Sequence, residues 1–358
     1  MNSLILGFGN AGEALHLPVL RKLLAASPAL NLNPLFHVFD NQAARMGRHT
    51  DDVQFHSLIP TAEVDLLGPT VCHVCTPPGN RVELIGTLLE RGHRYILVEK
   101  PVASDAISLD QLIGLEKKYS AHVLVVSVFS NSRLVEKIRS LIEPEPDTQA
   151  WRLMSVQKKS RYDRSAARAN EHIFEIEIPH QVALAVDLFG PATVKNASTS
   201  HMVTPDGRVI PDMGTGRIQL SHHNGAISVL DSSLVHPSRE RAIRVHTGRG
   251  SLFTGHFPAG RDDNVSTLVM GGKTQIILDE PLTQCISLAY RYFNKIDQER
   301  TVASHPALSS MTLPFHRQVM QILDAAKRAA VSTPVYQDNS ASLEPDNVSA
   351  GLNGRRLL

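Results

Sequence analysis

Apolar positions in the first third of the chain come in short unbroken runs. Met1-Asn2-Ser3-Leu4-Ile5-Leu6, Leu35 to Asp40, Thr70 to Cys75, Tyr95 to Val98 and His122 to Ser127 are too short for helices and read as buried strands. Between them lie stretches with helical spacing: Glu13 to Leu20, Arg81 to Arg91 stopped by Gly92, and Ile107 to Lys118. Strand and helix alternate over residues 1–127, which predicts an α/β domain with a parallel sheet wound on both faces.

After Ser127 the pattern changes. A helix near Arg133 to Ile142 leads to a strand at Trp151 to Val156, a polar loop, and a helix ending at Gly190. From Val194 to Leu278 the chain reads mainly as strands, among them Arg217 to Ser221, Ala226 to Leu230, Ala242 to His246 and Gln275 to Leu278, with Asn224-Gly225 the strongest turn signal. Helices return at Thr283 to Lys295 and Pro314 to Ala330. This predicts a second, α+β domain over residues 128–336 with a large, predominantly antiparallel sheet. Residues 337–358 lack periodicity and read as a mobile tail.

Composition narrows the class. A chain of 358 residues is long for one core, in keeping with two domains. Hydrophobic residues make up 42% and charged ones 20%, as in soluble globular proteins. A net charge of +1 gives no electrostatic reason to expect nucleic acid or an anionic membrane. With no run approaching a bilayer span, no basic signal-peptide start and only three cysteines, a reducing, cytoplasmic setting is expected. Cys72-His73-Val74-Cys75 resembles half a zinc site, but positions three apart in a strand point to opposite faces, and no second pair exists. Buried thiols are the expectation, and no metal is predicted, since Asp212 and His222-His223 have no ligand spacing with their neighbours.

The candidate chemistry gathers at strand ends. Gly7-Phe8-Gly9-Asn10-Ala11-Gly12 has dinucleotide-binding spacing: Gly7 for the turn, Gly9 for close approach of a pyrophosphate, Gly12 for helix–strand packing. Helix amides beyond it would face the phosphates. Asp40 ends the second strand, where an acid hydrogen-bonds ribose hydroxyls and repels a 2′-phosphate, favouring NAD over NADP. It lies 28 positions after Gly12 rather than the usual ~20, with the surplus in a proline-marked stretch from Ala25 to Pro34. The alternative is that Asp40 caps a helix running from Asn41 to Arg48. Asn41, Thr76, Pro77, Asn80, Glu99 and Lys100 fall at the same edge and complete the expected cofactor-facing set.

With these pieces in order, the chain resembles the glucose–fructose oxidoreductase/inositol dehydrogenase family, Gfo/Idh/MocA. The resemblance is carried by the glycine turn followed by His16-Leu17-Pro18-Val19-Leu20, by Cys75-Thr76-Pro77-Pro78, by Gly92 leading to Glu99-Lys100-Pro101-Val102-Ala103, and by His180 ten positions before Gly190. Asn224-Gly225-Ala226 and Gly248-Arg249-Gly250 look like the family's sheet-domain turns. It implies a Rossmann domain joined to an open-faced sheet domain, a homodimer or homotetramer, a cis bond before Pro101, and nicotinamide-dependent oxidation or reduction of a sugar, cyclitol or related polyol. Many members carry an aspartate four positions before the histidine; here that position is Ile176, between Glu175 and Glu177. Pro179 is expected to open the helix, leaving Glu177 just ahead of it to reach over His180.

The expected catalytic residues are thus Lys100, His180 and Glu177, with Lys100, Glu177, His180 and Tyr162 as substrate contacts. Desolvation and a nearby nicotinamide ring would lower the Lys100 pKa toward a useful range. The bland readings are a surface lysine, a structural histidine and, for the stretch holding Arg161, Tyr162 and Arg164, a solvated basic loop. Two other functional classes stay open: reduction of a non-sugar carbonyl or imine, and a non-catalytic NAD-binding sensor or scaffold. From Asp40 alone, NAD is expected to bind more tightly than NADP in a fluorescence titration, and Asp40→Ser should weaken NAD binding and narrow the preference. Tighter NADP binding by the unmodified protein would reverse the assignment.

Overall fold

The computed structural model describes residues 1–42, 51–142, 151–166, 171–248, 250–260, 263–299 and 306–333. In the N-terminal part the elements follow as β1 (Asn2–Leu6), α1 (Leu17–Ala26), β2 (Phe36–Phe39), β3 (Val53–His56), β4 (Thr70–Val74), α2 (Arg81–Glu90), β5 (Tyr95–Val98), α3 (Ala106–Lys118) and β6 (His122–Val125). All six strands are parallel, in the order β3-β2-β1-β4-β5-β6. The order reverses beside β1, so a crevice opens between the ends of β1 and β4. Strand β3 escaped the sequence reading because Val53-Gln54-Phe55-His56 is a short edge strand with little apolar signal. The long spacing to Asp40 is taken up by a 3-10 turn at Pro28–Leu30 and by Asn31 in the left-handed region (φ 49°). The helix expected from Asn41 to Arg48 lies, from residue 43 on, outside the described residues.

The second part runs α4 (Arg133–Ile142), β7 (Arg152–Ser160), α5 (Tyr162–Ala166), α6 (Ile178–Phe189), β8 (Ala192–Ser200), β9 (Met202–Val203), β10 (Val209–Ile210), β11 (Thr215–His222), β12 (Ile227–Ser233), β13 (Val235–His246), β14 (Leu252–His256), β15 (Val265–Met270), β16 (Lys273–Leu278), α7 (Pro281–Glu299), α8 (Leu313–Ala329) and β17 (Ala330–Thr333). A nine-stranded sheet is ordered β16-β15-β14-β13-β7-β12-β11-β8-β17, while β9 and β10 form a separate hairpin. Pairings are antiparallel except β7 with β12 and β8 with β17. Asn224-Gly225 makes the β11–β12 turn, with Gly225 at φ 88° and its amide donating to His222. One face of the sheet packs on α4, α6 and α8 through Leu134, Ile138, Val182, Phe189, Val319 and Ile322.

The C-terminal helices depart from a simple division at Ser127. Helix α7 buries Cys285, Ile286, Ala289, Tyr290 and Phe293 against Ile5, Leu20, Phe36 and Leu97 of the N-terminal domain. The reason lies in the first sheet. Parallel strands must be covered on both faces. Helices α2 and α3 serve the face carrying Leu4, Leu6, Cys72 and Val98. On the opposite face α1 is joined by α7, which the chain supplies only after completing the second sheet. Helix α8 straddles both units, with Leu313 and Met320 against the first core and Leu323 and Ala326 in the second. Residues 337–358 lie outside the described residues. Among the described residues no helix is long and apolar enough to cross a membrane.

Because α7 completes the N-terminal core, truncating its fully buried Phe293 is expected to destabilise the nucleotide-binding domain. Phe293→Ala should cost about 3–5 kcal/mol in urea denaturation, and a loss under 1 kcal/mol would mean that α7 is only loosely docked.

Candidate functional site

The glycine turn is shaped by close approach. Gly7 sits at φ 91°, and a Cβ there would lie 3.0 Å from the Thr76 amide nitrogen at the end of β4. A Cβ on Gly12 would fall 2.2 Å from the Gly7 carbonyl oxygen, so α1 can seat on β1 only with glycine at that point. Gly12–His16 winds with π-helical spacing before α1 begins, bringing His16 beneath the turn. The Phe8 side chain is buried edge-on against Phe55 at 5.3 Å, so its contribution to the edge is its backbone. That amide donates to Asp40 Oδ2 at 2.6 Å, and the Gln42 amide donates to Oδ1 at 2.8 Å. Asp40 is only 4% exposed and therefore braces the turn as well as marking the end of β2. The helix of the alternative reading lies outside the described residues, and the bond from Gln42 is a local turn contact. Asn10 and Asn41 are exposed at this edge, with Gly9 and Ala11 half-buried between.

At the end of β4, Thr76, Pro77 and Asn80 enter a 3-10 turn (Pro78–Asn80) that leads into α2. The Thr76 hydroxyl is buried with no hydrogen-bond partner in the protein. An orphaned hydroxyl beside a glycine cradle suits a dinucleotide, whose phosphates or ribose would supply the missing partner. Arg81 organises the same region. Its Nε donates to the Thr76 carbonyl at 3.0 Å, and its guanidinium also reaches the carbonyls of Glu99 and Pro101. One buried fork thus ties the end of β4 to the end of β5. Burial pulls its pKa down to about 10, against the raising effect of Glu99 and Cys75.

At the end of β5 the expected catalytic residues converge. The Lys100–Pro101 bond is cis. Lys100 Nζ donates to the main-chain carbonyl of Ile176 at 2.7 Å. The position where the family pattern has an aspartate side chain therefore holds the lysine through its backbone. Burial lowers the Lys100 pKa, Glu177 and Glu99 raise it, and Lys159 and Arg161 lower it further. Glu177 is the N-cap residue of α6, with Pro179 in the first turn, as the sequence implied. Its carboxylate, however, pairs with Lys159 from β7 rather than curling onto His180. The physical reason is the register of β7, which delivers a cation to the helix start. Burial alone would raise the Glu177 pKa, but Lys159, Lys100 and His180 outweigh it and hold the group ionised. Burial, with Lys100, pushes His180 down to about 3 against Glu177 and Glu99, so its imidazole is neutral near pH 7. The ring stands edge-on to Phe129 at 5.4 Å.

An open pocket joins Lys100 and Glu177 to solvent, while His180 lines a smaller neighbouring cavity with Lys100, Ser127 and Phe129. The walls of the open pocket include Pro77, Lys100, Lys159, Arg161, Glu175 and Glu177. Tyr162 is not among the lining residues: it packs toward the sheet core, and its hydroxyl donates to the Val235 carbonyl at 3.2 Å. Its neighbours Arg161 and Arg164 line the pocket instead, being three positions apart and so on one face, from which Tyr162 is turned away. Arg161 pairs with Glu171, and Lys327 of α8 with Glu175.

Sequence reasoning did not single out Arg81, Lys159 or the side chain of His16. The available signal for His16 was a polar ring at an otherwise apolar helix start, where it is now fully buried. Cys72 and Cys285 are buried free thiols and Cys75 is half-buried. No group of three or more His, Cys, Asp or Glu among the described residues could hold a metal. His222 instead bonds the Gly190 carbonyl and Ser228, and Asp212 accepts from Thr199 and Ser332.

Comparison with known proteins bears on the same features. Residues 1–127 match the Gfo/Idh/MocA family model, described as an oxidoreductase family with an NAD-binding Rossmann fold. No curated protein matches. Among solved structures, the chain is similar to a UDP-N-acetylglucosamine 3-dehydrogenase from Acidithiobacillus ferrooxidans (TM-score 0.67, 16% identity, covering 92% of this chain and 97% of that one). An oxidoreductase from Thermotoga maritima gives a TM-score of 0.70 at 14% identity over 92% and 96% of the two chains. A 3-ketoreductase from Actinomadura kijaniata, solved with TDP-benzene and NADP, gives 0.66 at 12% identity over 94% and 99%. These likenesses establish a shared two-domain fold.

Arg81 supplies a direct check on the geometry of the edge. Arg81→Met leaves three strand-end carbonyls without their common donor and should lower stability by about 2–4 kcal/mol in chemical denaturation. A loss below 0.5 kcal/mol would show that the carbonyls find other donors.

Proposed function

We propose, for a chain whose first 127 residues belong to the Gfo/Idh/MocA oxidoreductase family with its NAD-binding Rossmann fold, that the protein oxidises or reduces a secondary alcohol or ketone of a sugar, cyclitol or related polyol. The observation that carries this reading is the meeting of Lys100 and His180 in one cavity at the end of β5, with Lys100 held by the Ile176 carbonyl. The residues at the edge fit a dinucleotide: Gly7 and Gly12 leave room for backbone approach, and Thr76 carries an unpartnered buried hydroxyl. Asp40, Thr76, Asn80 and the turn amides would hold NAD(P), which supplies the hydride-accepting or hydride-donating ring. Asp40 favours NAD, because a carboxylate there repels a 2′-phosphate.

The chain's own residues handle the proton. Lys100 Nζ, anchored at Ile176, holds or delivers the proton at the substrate oxygen, and the lowering of its pKa by burial eases release of that proton. Neutral His180 orients the hydroxyl and can accept its proton. The pocket alternates cations and carboxylates, with Lys159, Arg161 and Arg164 beside Glu171, Glu175 and Glu177. Such a wall offers many donors and acceptors, which suits a polyhydroxylated substrate. That one structural neighbour is a UDP-N-acetylglucosamine dehydrogenase supports the same class.

Incubation with NAD or NADP and a panel of polyols, followed by the absorbance of the reduced cofactor, tests the reading; no turnover with any secondary alcohol or ketone would reject it. Lys100→Met should lower kcat roughly 100-fold or more with cofactor still bound. His180→Ala should lower kcat and raise KM together. Glu177→Gln removes a charge that raises the Lys100 pKa, so the limb of the pH profile governed by Lys100 should move to lower pH. An unchanged profile would take Glu177 out of the mechanism.

A further inference from the structure

Behind the strand ends lies a buried chain of polar side chains that the reaction above does not use. Glu99 Oε1 is 2.9 Å from His16 Nε2, and His16 Nδ1 is 2.8 Å from His73 Nδ1. His73 Nε2 is 2.8 Å from the Tyr290 hydroxyl, which is 2.6 Å from Ser3 Oγ. His16, His73, Tyr290 and Ser3 are each 0% exposed. The chain joins the turn after β1, strands β1 and β4, the end of β5 and helix α7. It ends at Ser3 inside the core, a dead end, so a proton entering from the Glu99 side has no second outlet. A path that cannot release a proton cannot serve as a conduit, but it can fix a charge.

We propose that His16 is a positioning residue: held as an imidazolium by this chain, it keeps Glu99 a carboxylate and so sets the electrostatics under Lys100. Proton counting is consistent with the assignment. Glu99 Oε2 accepts the Lys100 amide at 3.2 Å, so the carboxylate has a donor at each oxygen when His16 carries hydrogen on Nε2. With hydrogen also on Nδ1, His16 donates to His73, His73 donates to Tyr290, and Tyr290 donates to Ser3. Every link is then a donor facing an acceptor. Neutral His16 would require the chain to reverse, which pairs every link equally well, but would leave Glu99, whose side chain is 16% exposed at the strand end, without a directly bonded cation. A largely buried carboxylate in that state is disfavoured. The Lys100 ammonium lowers the Glu99 pKa from a distance but is bonded to the Ile176 carbonyl, whereas His16 Nε2 contacts the carboxylate directly.

The surrounding groups agree. His16 is faced by Cys75 and Glu99 at the strand ends and by His73 on β4. Burial pulls its pKa down, but Cys75 and Glu99 together bring it up to about 10. His73 is pushed far below the usual range by burial and by His16, and is neutral. Glu99 faces His16, Lys100, His180 and Arg81; burial raises its pKa, and His16, Lys100 and His180 more than offset this. Tyr290 faces Ser3 and Cys72, and burial raises it far above the usual phenol range.

The inference rests on the reading of Glu99 and Lys100 as part of the cofactor edge, and its first test does not require turnover. In protein labelled with 15N-histidine, one imidazolium pair should survive at pH 9 and be missing from His16→Gln. No imidazolium at pH 9 in the unmodified protein, or a pair that persists in the variant, would overturn the proposal. The second test reads NADH affinity by fluorescence against pH. Glutamine keeps a donor toward Glu99 but no charge, so Glu99 should protonate at higher pH, and the acid limb of binding should move up by about 1 pH unit or more in His16→Gln. Tyr290→Phe should move it the same way by less. A limb that stays in place in a folded His16→Gln would overturn the positioning role, even if the polyol assignment holds. Loss of the polyol assignment would leave both readouts intact.

Discussion

Parallel strands all end at one edge of their sheet, and the candidate site follows from that constraint. β1 delivers the glycine turn, β2 delivers Asp40, β4 delivers Thr76, and β5 delivers Glu99 and Lys100. These four segments are far apart in sequence, yet each needs only a correctly ended strand to arrive. The crowding is acute. Gly12 is within 2.2 Å of blocking the Gly7 carbonyl with a single carbon, and Arg81 must satisfy carbonyls from two strand ends with one guanidinium. Parallelism carries a further demand, since both faces need cover. The chain meets it by sending α7 back across the first domain after the second sheet is finished, which couples the two units through one core.

Charge at this edge is dense but compensated. Lys159 meets Glu177, Arg161 meets Glu171, Lys327 meets Glu175, and His16 meets Glu99. Lys100 stands among these pairs with a neutral carbonyl as its bonded partner. Glu177 and Glu99 are both held in the carboxylate form and oppose the lowering of the Lys100 pKa by burial. A lone cation in such a crevice would be held charged by any nearby acid, whereas a lysine flanked by neutralised pairs answers mainly to its burial.

The fold was legible in the sequence where local pattern and global need coincided. Tyr95–Val98 and Arg133–Ile142 emerge with the bounds their periodicity implied, and Pro179 opens α6 with Glu177 before it. Edges were less visible: β3 and β17 are short, and their pairing depends on a neighbour rather than on their own composition. Long-range partnership was not legible at all. Spacing cannot say that β7 will carry Lys159 to Glu177, that α7 will dock on β1, or that His16 and His73, distant in sequence, will share a proton. Tyr162 shows the same limit at short range, for the loop was located correctly while the face each side chain takes was decided by the sheet beneath it.

The anchoring of Lys100 by a carbonyl has a consequence for what can vary. A carbonyl is common to all twenty residue types, so no substitution at 176 deletes it, and it neither gains nor loses a proton in the ordinary range of pH. What holds the lysine is therefore a feature of chain path, encoded in the 3-10 turn at Ile173–Glu175 and in the start of α6 rather than in the identity of Ile176. The side chain at that point is released from catalytic duty and can drift, pack or meet a different substrate while the lysine stays where it is. Inheritance of the geometry has passed from one residue's chemistry to the shape of a bend.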